Sequence, residues 1–300
     1  MSLLIVGSIA LDSIDTPLEK HTDMLGGSAS YAAIAASFFC PVRLVGVVGT
    51  DFPKPFTELF SRFKIDTEGL KYEEGKTFRW HGKYEWDYNT RSTLSVDLNV
   101  FEKFNPVLPA SYQSSPYVLL ANIHPALQMN VFNQVKNPKF VVADTMDLWI
   151  NIAQEDLRAL LRKVDMLILN DSEAREFTKE TSLIRAGRKM LGMGPQYVII
   201  KKGEHGSLLF GDNKFFSAGA YPLEDLHDPT GAGDTFAGAL MGHLAGTGGD
   251  ITFEAIRKGI IYGSTLASFN VEAFSLGRLQ TVTQEQISER FEKLKLYSQF

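Results

Sequence analysis

Asp228-Pro229-Thr230-Gly231-Ala232-Gly233-Asp234-Thr235-Phe236-Ala237-Gly238-Ala239-Leu240 is a turn of small residues that runs into an apolar helix. Glycines at 231 and 233 let backbone N–H groups approach an anion closely, and a helix N-terminus adds about half a positive charge. Such a turn can hold a phosphate, and also the charge that builds up during phosphoryl transfer. Asp234, at the mouth of the turn, is placed to accept a proton from an attacking hydroxyl. Together they form an anion hole and a base, the parts needed to phosphorylate an alcohol. Asp and Gly are also favoured at helix starts for capping alone, and the residues by themselves leave that second reading open.

Working outward, the flanking chain alternates strand and helix. Leu3–Gly7 reads as a buried strand, followed by a turn-rich stretch through Pro17. Gly26-Gly27 opens a helix of small and apolar residues, Ser28–Phe39, which Pro41 ends. Val42–Val48 is a second buried strand, and Pro53 suits the first turn of a helix over Lys54–Phe63. Tyr117–Ala121, Phe140–Ala143, Met166–Leu169 and Tyr197–Lys201 read as further buried strands, with helices between them, notably Gln154–Lys163 and Ser182–Met190. Ser207–Phe210 and Lys214–Ser217 form a hairpin through Gly211-Asp212-Asn213. Helices near 231–245, 252–269 and 283–297 close the chain. This order predicts an α/β protein with a mostly parallel sheet and helices on both faces.

Residues 77–101 break that rhythm. Phe78, Trp80, Tyr84 and Trp86 alternate with polar residues, as do Leu94, Val96, Leu98 and Val100, with Asp87–Ser92 as the connection. Period 2 on both arms predicts a half-buried hairpin, which cannot be stable alone and must cover something. It is read as an inserted lid, with part of 12–25, in one domain spanning 1–300. Its aromatic face suits closure over a substrate or packing against a second lid in a homodimer.

Composition narrows the function classes. The chain has 300 residues, is 44% hydrophobic and 22% charged, and carries a net charge of −5. Those are globular values, and no basic run marks a nucleic-acid face. Cys40 is the sole cysteine, which excludes an intrachain disulfide and a cysteine metal cluster. No apolar run reaches the roughly 20 residues a membrane span needs. A soluble cytoplasmic protein is the default expectation. Two phosphate motifs are only apparent. Gly69 to Gly75 has five intervening residues where a Walker A loop has four, and it precedes a strand pattern rather than a helix. Gly231-Ala232-Gly233 starts like a dinucleotide fingerprint, but its third glycine position is Phe236.

The opening stretch resembles the C-terminal signature D-T-x-G-A-G-D of the PfkB, or ribokinase-like, family of carbohydrate kinases, with Pro229 in place of a Thr. The resemblance extends along the chain. Gly7-Ser8-Ile9 with Asp12, the double glycine Gly26-Gly27, Val45–Asp51, Asn170-Asp171-Ser172-Glu173 and Val198–Gly206 follow in the family's order. It implies a ribokinase-like three-layer α/β/α sandwich with a small β lid, and an ATP-dependent kinase acting on a hydroxymethyl group with Mg²⁺. Whether K⁺ takes part stays open.

By position, the resemblance makes Asp234 the base and Gly231, Ala232 and Gly233 the anion hole. It assigns Asp12, Gly26 and Gly27 to the substrate. Asn170 and Glu173 would organise Mg²⁺ and phosphate through water, although the same pair could be a helix capping box. The nucleotide would lie against Lys202, Gly203 and Glu204, near Thr230 and the Tyr262–Asn270 helix end. Tyr31 stands where the family commonly has Asn beside the substrate, which puts a ribokinase- or fructokinase-like substrate in doubt. Lys201 stands where many members have Thr, with stronger triphosphate binding or no effect both open. On the lid, Arg79 and His81 offer a polar face, and Arg79 could read a substrate phosphate or carboxylate; solvated strand residues are the other reading. Asp144 and His124 follow strands and could face the cleft. His21, His205, His227 and His243 read as surface or core residues.

Three functions follow in order: a kinase for a sugar or sugar derivative, a nucleoside kinase of the same fold, and a non-catalytic nucleotide or metabolite sensor.

Overall fold

A computed structural model of the chain describes residues 1–298. Leu3–Val6 is β1, Ala10–Asp15 β2, Lys20–Gly26 β3 and Ser28–Ser37 α1. Val42–Gly49 is β4, Lys54–Arg62 α2 and Asp66–Glu73 β5. Phe78–Tyr84 and Arg91–Asp97 are β6 and β7. Tyr117–Leu120 is β8, Pro125–Gln134 α3, Phe140–Asp144 β9, Asp147–Ile152 α4 and Gln154–Leu161 α5. Met166–Asn170 is β10, Asp171–Thr178 α6, Leu183–Leu191 α7 and Tyr197–Lys201 β11. Ser207–Gly211 and Lys214–Ala218 are β12 and β13. Ala232–Thr247, Phe253–Asn270 and Gln284–Tyr297 are α8, α9 and α10.

Nine strands form the main sheet in the order β13-β12-β11-β10-β9-β8-β1-β4-β5. All pairings from β5 to β11 are parallel, and β12 and β13 add an antiparallel edge. Alternate residues of β1 feed two cores. Leu3 and Ile5 pack on the side of α1, α8 and α9, and Leu4 and Val6 on the side of α3, α5, α6 and α7. The sheet is therefore covered on both faces, which is why β1, β8 and β9 read as unbroken apolar runs. The three-layer sandwich is as expected. α1 and α8 approach closely because Gly242 faces Ala36, where a Cβ would lie 2.7 Å from the Ala36 Cα.

The chain runs outward from β1 to β4 and β5, then restarts at β8 on the other side of β1. Open α/β sheets form their ligand crevice at the carboxyl ends of strands beside such a reversal. Ser8 after β1, Asn122 after β8, Asp144 at the end of β9, Asn170 of β10 and Lys201 of β11 all meet there.

The lid is larger than a hairpin. β6 and β7 pair as expected, but β2 and β3 join them in a four-stranded sheet ordered β3-β2-β6-β7. The stretch read as turn-rich therefore contains a strand, β2, and β3 follows it; β2 pairs in parallel with β6, setting Asp12 opposite Trp80. The second arm also ends sooner, at Asp97, and Asn99–Lys103 is a 3-10 helix. Asp51 ties the lid to the turn after β4, accepting from the Thr77 N–H at 2.6 Å and Thr77 Oγ1 at 2.7 Å. Among the described residues no helix is long and apolar enough to cross a membrane.

Candidate active site

Pro229 fixes its own φ, but the glycines at 231 and 233 leave the turn little intrinsic preference, so side chains hold it. Asp228 is wholly buried and accepts from the Thr230 N–H at 2.9 Å and the Ser275 N–H at 3.3 Å. Asn270 is also wholly buried; its Nδ2 donates to the Thr230 carbonyl at 2.8 Å and its Oδ1 accepts from Thr235 Oγ1 at 3.3 Å. Gly231 caps α8 at φ +75°, a left-handed conformation that suits glycine, and the Tyr31 ring fills the space a Cβ would need. The result is a braced turn whose N–H groups head α8.

A cleft of about 570 Å³ opens at this turn. Gly231, Gly233, Asp234 and Thr230 form its floor with Lys201 and Asp144. Burial pushes the Asp234 carboxyl up to about 7; the Asp144 charge adds to this, while Lys201 and Arg91 oppose it. A carboxyl poised there is suited to accept a proton near neutral pH. Lys201 Nζ donates to Asp144 Oδ2 at 3.1 Å. Burial works against the Lys201 charge, yet Asp144, Glu173 and Asp234 together hold its pKa above the ordinary range.

Asp12 enters from β2 and Gly27 from the head of α1. Burial raises Asp12 to about 7 against the pull of the Gly27 N–H, with Asp228 and Asp234 adding like charge. Gly26 is the close neighbour of Asp12: a Cβ there would overlap its carboxylate. Gly27, at φ +87°, leaves room for the Ser8 carbonyl 2.5 Å from where its Cβ would sit. Tyr31 lines the same end and is 2% exposed. Burial first, then Asp12 and Asp228, push its hydroxyl well above the ordinary range.

The lid supplies the roof. Phe78, Trp80 and Tyr84 of β6 face the cleft, followed by Tyr88, Asn89 and Arg91. Gly82 leaves space for the Trp80 ring, which a Cβ would overlap, and Trp80 Nε1 donates to Thr93 Oγ1 at 3.2 Å. The Arg91 guanidinium stacks over Trp80 at 5.4 Å. Tyr84 OH accepts from Thr230 Oγ1 at 3.1 Å, so the roof touches the anion-hole turn.

Several expected site residues stand elsewhere. Arg79 points away from the cleft and pairs with Asp51 at 2.9 Å and Asp23 at 3.2 Å, because neighbours on a strand face opposite ways. Asn270 acts on the site only through the turn it braces. Ala232 starts α8 but does not line the cleft, and of the Lys202–Glu204 loop only Gly203 does. Trp86 is 74% exposed rather than part of the roof. His124 caps α3, its Nδ1 accepting from the Ala126 N–H at 3.1 Å. Asn170 and Glu173 do form a capping box: Asn170 Oδ1 accepts from the Glu173 N–H at 2.8 Å and Glu173 Oε2 from the Asn170 N–H at 2.7 Å. Both still line the cleft, and burial raises Glu173 to about 7.

Sequence reasoning misses Arg91 because it borders a hairpin connection, where nothing marks an inward direction. Asn122 is similar: its Oδ1 accepts from Trp149 Nε1 at 2.9 Å, a contact set by how the end of β8 meets α4.

The family model described as "pfkB family carbohydrate kinase" matches residues 19–281. A cytidine kinase of Thermococcus kodakarensis is 30% identical over 268 residues, covering 87% of this chain and 94% of the relative. The nucleoside kinase of Methanocaldococcus jannaschii, described as an archaeal member of the ribokinase family, superposes with a TM-score of 0.77 at 21% identity, covering 97% of this chain and 98% of its own. A putative ribokinase II from E. coli, solved in complex with ATP and Mg²⁺, superposes at 0.80 with 17% identity, covering 97% and 99%. A braced glycine turn at a helix head, an aspartate beside it and a β lid above are thus found on the fold of known kinases, and the chain belongs to the pfkB family of carbohydrate kinases.

Proposed function

We propose that this kinase transfers the terminal phosphate of ATP to the primary hydroxyl of a nucleoside. The observation that carries the reading is the aromatic lining of the cleft by Phe78, Trp80, Tyr84 and Tyr88, with Trp80 paired opposite Asp12. Flat aromatic faces offer stacking area to a base, with Asp12 below to accept hydrogen bonds from ribose hydroxyls. The sequence put a sugar first and a nucleoside second. The roof, together with the cytidine kinase relative, favours the reverse order. A phosphorylated sugar fits less well. Among the described residues the cations lining the cleft are Lys201, which is bonded to Asp144, and Arg91, which is stacked over Trp80, so the roof offers a substrate phosphate one arginine.

In this mechanism the nucleoside hydroxyl lies beside Asp234, which takes its proton as the oxygen attacks. The N–H groups of Gly231, Gly233 and Asp234 face the charge that gathers on the transferred phosphoryl group, whereas that of Ala232 is donated to the Pro229 carbonyl at 3.2 Å. Tyr84 and the lid exclude water from the reacting atoms. Mg²⁺, when bound, neutralises phosphate charge. No three acidic or histidine side chains among the described residues converge to hold a bare ion. The ion would therefore enter on the nucleotide, and Glu173 would reach it through water, as is usual for Mg²⁺.

An ATP-consumption screen over nucleosides, free sugars and sugar phosphates, run with and without K⁺, tests the reading. Turnover is expected with a nucleoside and not with the 5′-deoxy form of the same nucleoside. Turnover with sugar phosphates alone contradicts it. ATP binding with no turnover across the whole panel would instead favour the sensor.

A further inference from the structure

Lys201 sits at the end of β11, on the rigid sheet, with a side chain 18% exposed and lining the cleft. An ammonium has three hydrogen-bond donors. Among the described residues only one is used, in the 3.1 Å bond to Asp144 Oδ2. Asp144 itself is only 4% exposed. Nζ also lies 2.9 Å from where a Cβ on Gly233 would sit, so the ammonium rests directly against the anion-hole backbone. Charge balance points the same way. Asp12, Asp144, Asp147, Glu173 and Asp234 line the cleft, against the two cations Lys201 and Arg91. A triphosphate entering so acidic a cleft needs positive charge at its reacting end, and a helix terminus supplies only about half a unit charge.

We propose that the Lys201 ammonium binds the terminal phosphate of the nucleotide, the group that is transferred, while Asp144 holds the ammonium against Gly233. Lys201 is then a catalytic residue and Asp144 a positioning residue. In the transfer, a bond forms from the acceptor oxygen to the γ-phosphorus, and the bond from that phosphorus to the β–γ bridging oxygen breaks. The acceptor proton goes to Asp234, ADP leaves with the bridging oxygen, and Lys201 keeps its protons throughout. The inference rests on the phosphotransfer reading of the site but not on the identity of the acceptor.

The test compares the affinities of Mg²⁺-ADP and of a non-hydrolysable imidotriphosphate analogue of ATP, by calorimetry without acceptor. Lys201→Met/Asp144→Asn removes both charges together, so that no buried carboxylate is left unpaired. Lys201→Gln is a second neutral variant that keeps a donor for Asp144, and it decides the matter should the double variant not fold. In either, the analogue is expected to bind at least about tenfold more weakly and ADP to change by less than about twofold, the loss typical of a charged hydrogen bond. Lys201→Arg, which retains the charge, should keep the ratio of the two affinities within about threefold of the wild type. Equal weakening of both nucleotides in the neutral variants, or no weakening of either, overturns the proposal. A wild type that binds neither nucleotide would instead refute the phosphotransfer reading.

Discussion

Three carboxyl groups of the cleft, Asp12, Glu173 and Asp234, are each raised to about 7, in every case chiefly by burial. Asp234 can take a proton only as the carboxylate. Turnover per unit KM should therefore rise with pH through about 7 and level off above it, and a profile flat from about pH 5.5 to about 8.5 would deny Asp234 the role of base. Stability should run the opposite way. The unfolded carboxyls ionise near 4, so between about pH 4 and about 7 the unfolded state binds fewer protons than the native one, and stability falls as pH rises. Asp12→Asn removes one such group. It should stabilise the ligand-free protein against urea by on the order of 2 kcal/mol at pH 8, with little effect near pH 4, since each tenfold change in proton affinity corresponds to about 1.4 kcal/mol. Equal effects at both pH values would contradict that origin. Asp12 and Asp234 were legible in the sequence because each sits in a short motif with glycines at fixed spacing. Lys201 appeared only as a departure from the family pattern, and Arg91 not at all, since the meeting of Lys201 with Gly233 depends on how β11 and α8 pack.

At the scale of elements, the lid is joined to the phosphate end through Tyr84. Its hydroxyl lies on Thr230, and Asn89 of the following loop comes near Gly203, where a Cβ would sit 3.6 Å from Asn89 Oδ1. Tyr84→Phe keeps the ring and removes one neutral hydrogen bond, worth about 1 kcal/mol. The KM for the acceptor should rise about fivefold, with kcat within about twofold, if the bond helps hold the lid over bound substrate. Unchanged steady-state constants would show that the lid closes without it. The hairpin half of the lid was legible from its period-2 alternation. That part of 12–25 joins the lid was expected, but its strands were not, because Asp12, Ser13, Asp15, Thr16 and Pro17 carry the chemistry of turns and exposed Lys20, Thr22 and Asp23 dilute the apolar pattern of β3. β2 is held between its neighbour β3 and β6, and the pairing with β6, more than sixty residues away, is one that no local pattern encodes. β5 was missed for a related reason: it is the edge of the main sheet, and exposed Glu68, Lys71, Tyr72 and Glu73 break its apolar run.

At the scale of the whole molecule, the strand–helix order led to the correct architecture. Buried parallel strands need crossovers, and crossovers of one hand leave few arrangements. The net charge of −5, by contrast, says little about an anionic ligand. In the proposed function the phosphate meets backbone N–H groups, a helix head and one lysine, which a net charge does not record. The reversal of strand order between β1 and β8 opens the crevice that Asp234 shares with the aromatic roof. The central claim is that Asp234 takes the acceptor's proton while Asp12 and the aromatic roof bind the acceptor. It is tested most directly by Asp234→Asn, with turnover and nucleoside affinity measured on the same preparation. The account predicts a loss of turnover of about a thousandfold or more, with nucleoside affinity within about threefold of wild type, the pattern of a group that acts only in the transition state. Near-normal turnover, or loss of binding in step with loss of turnover, would contradict it.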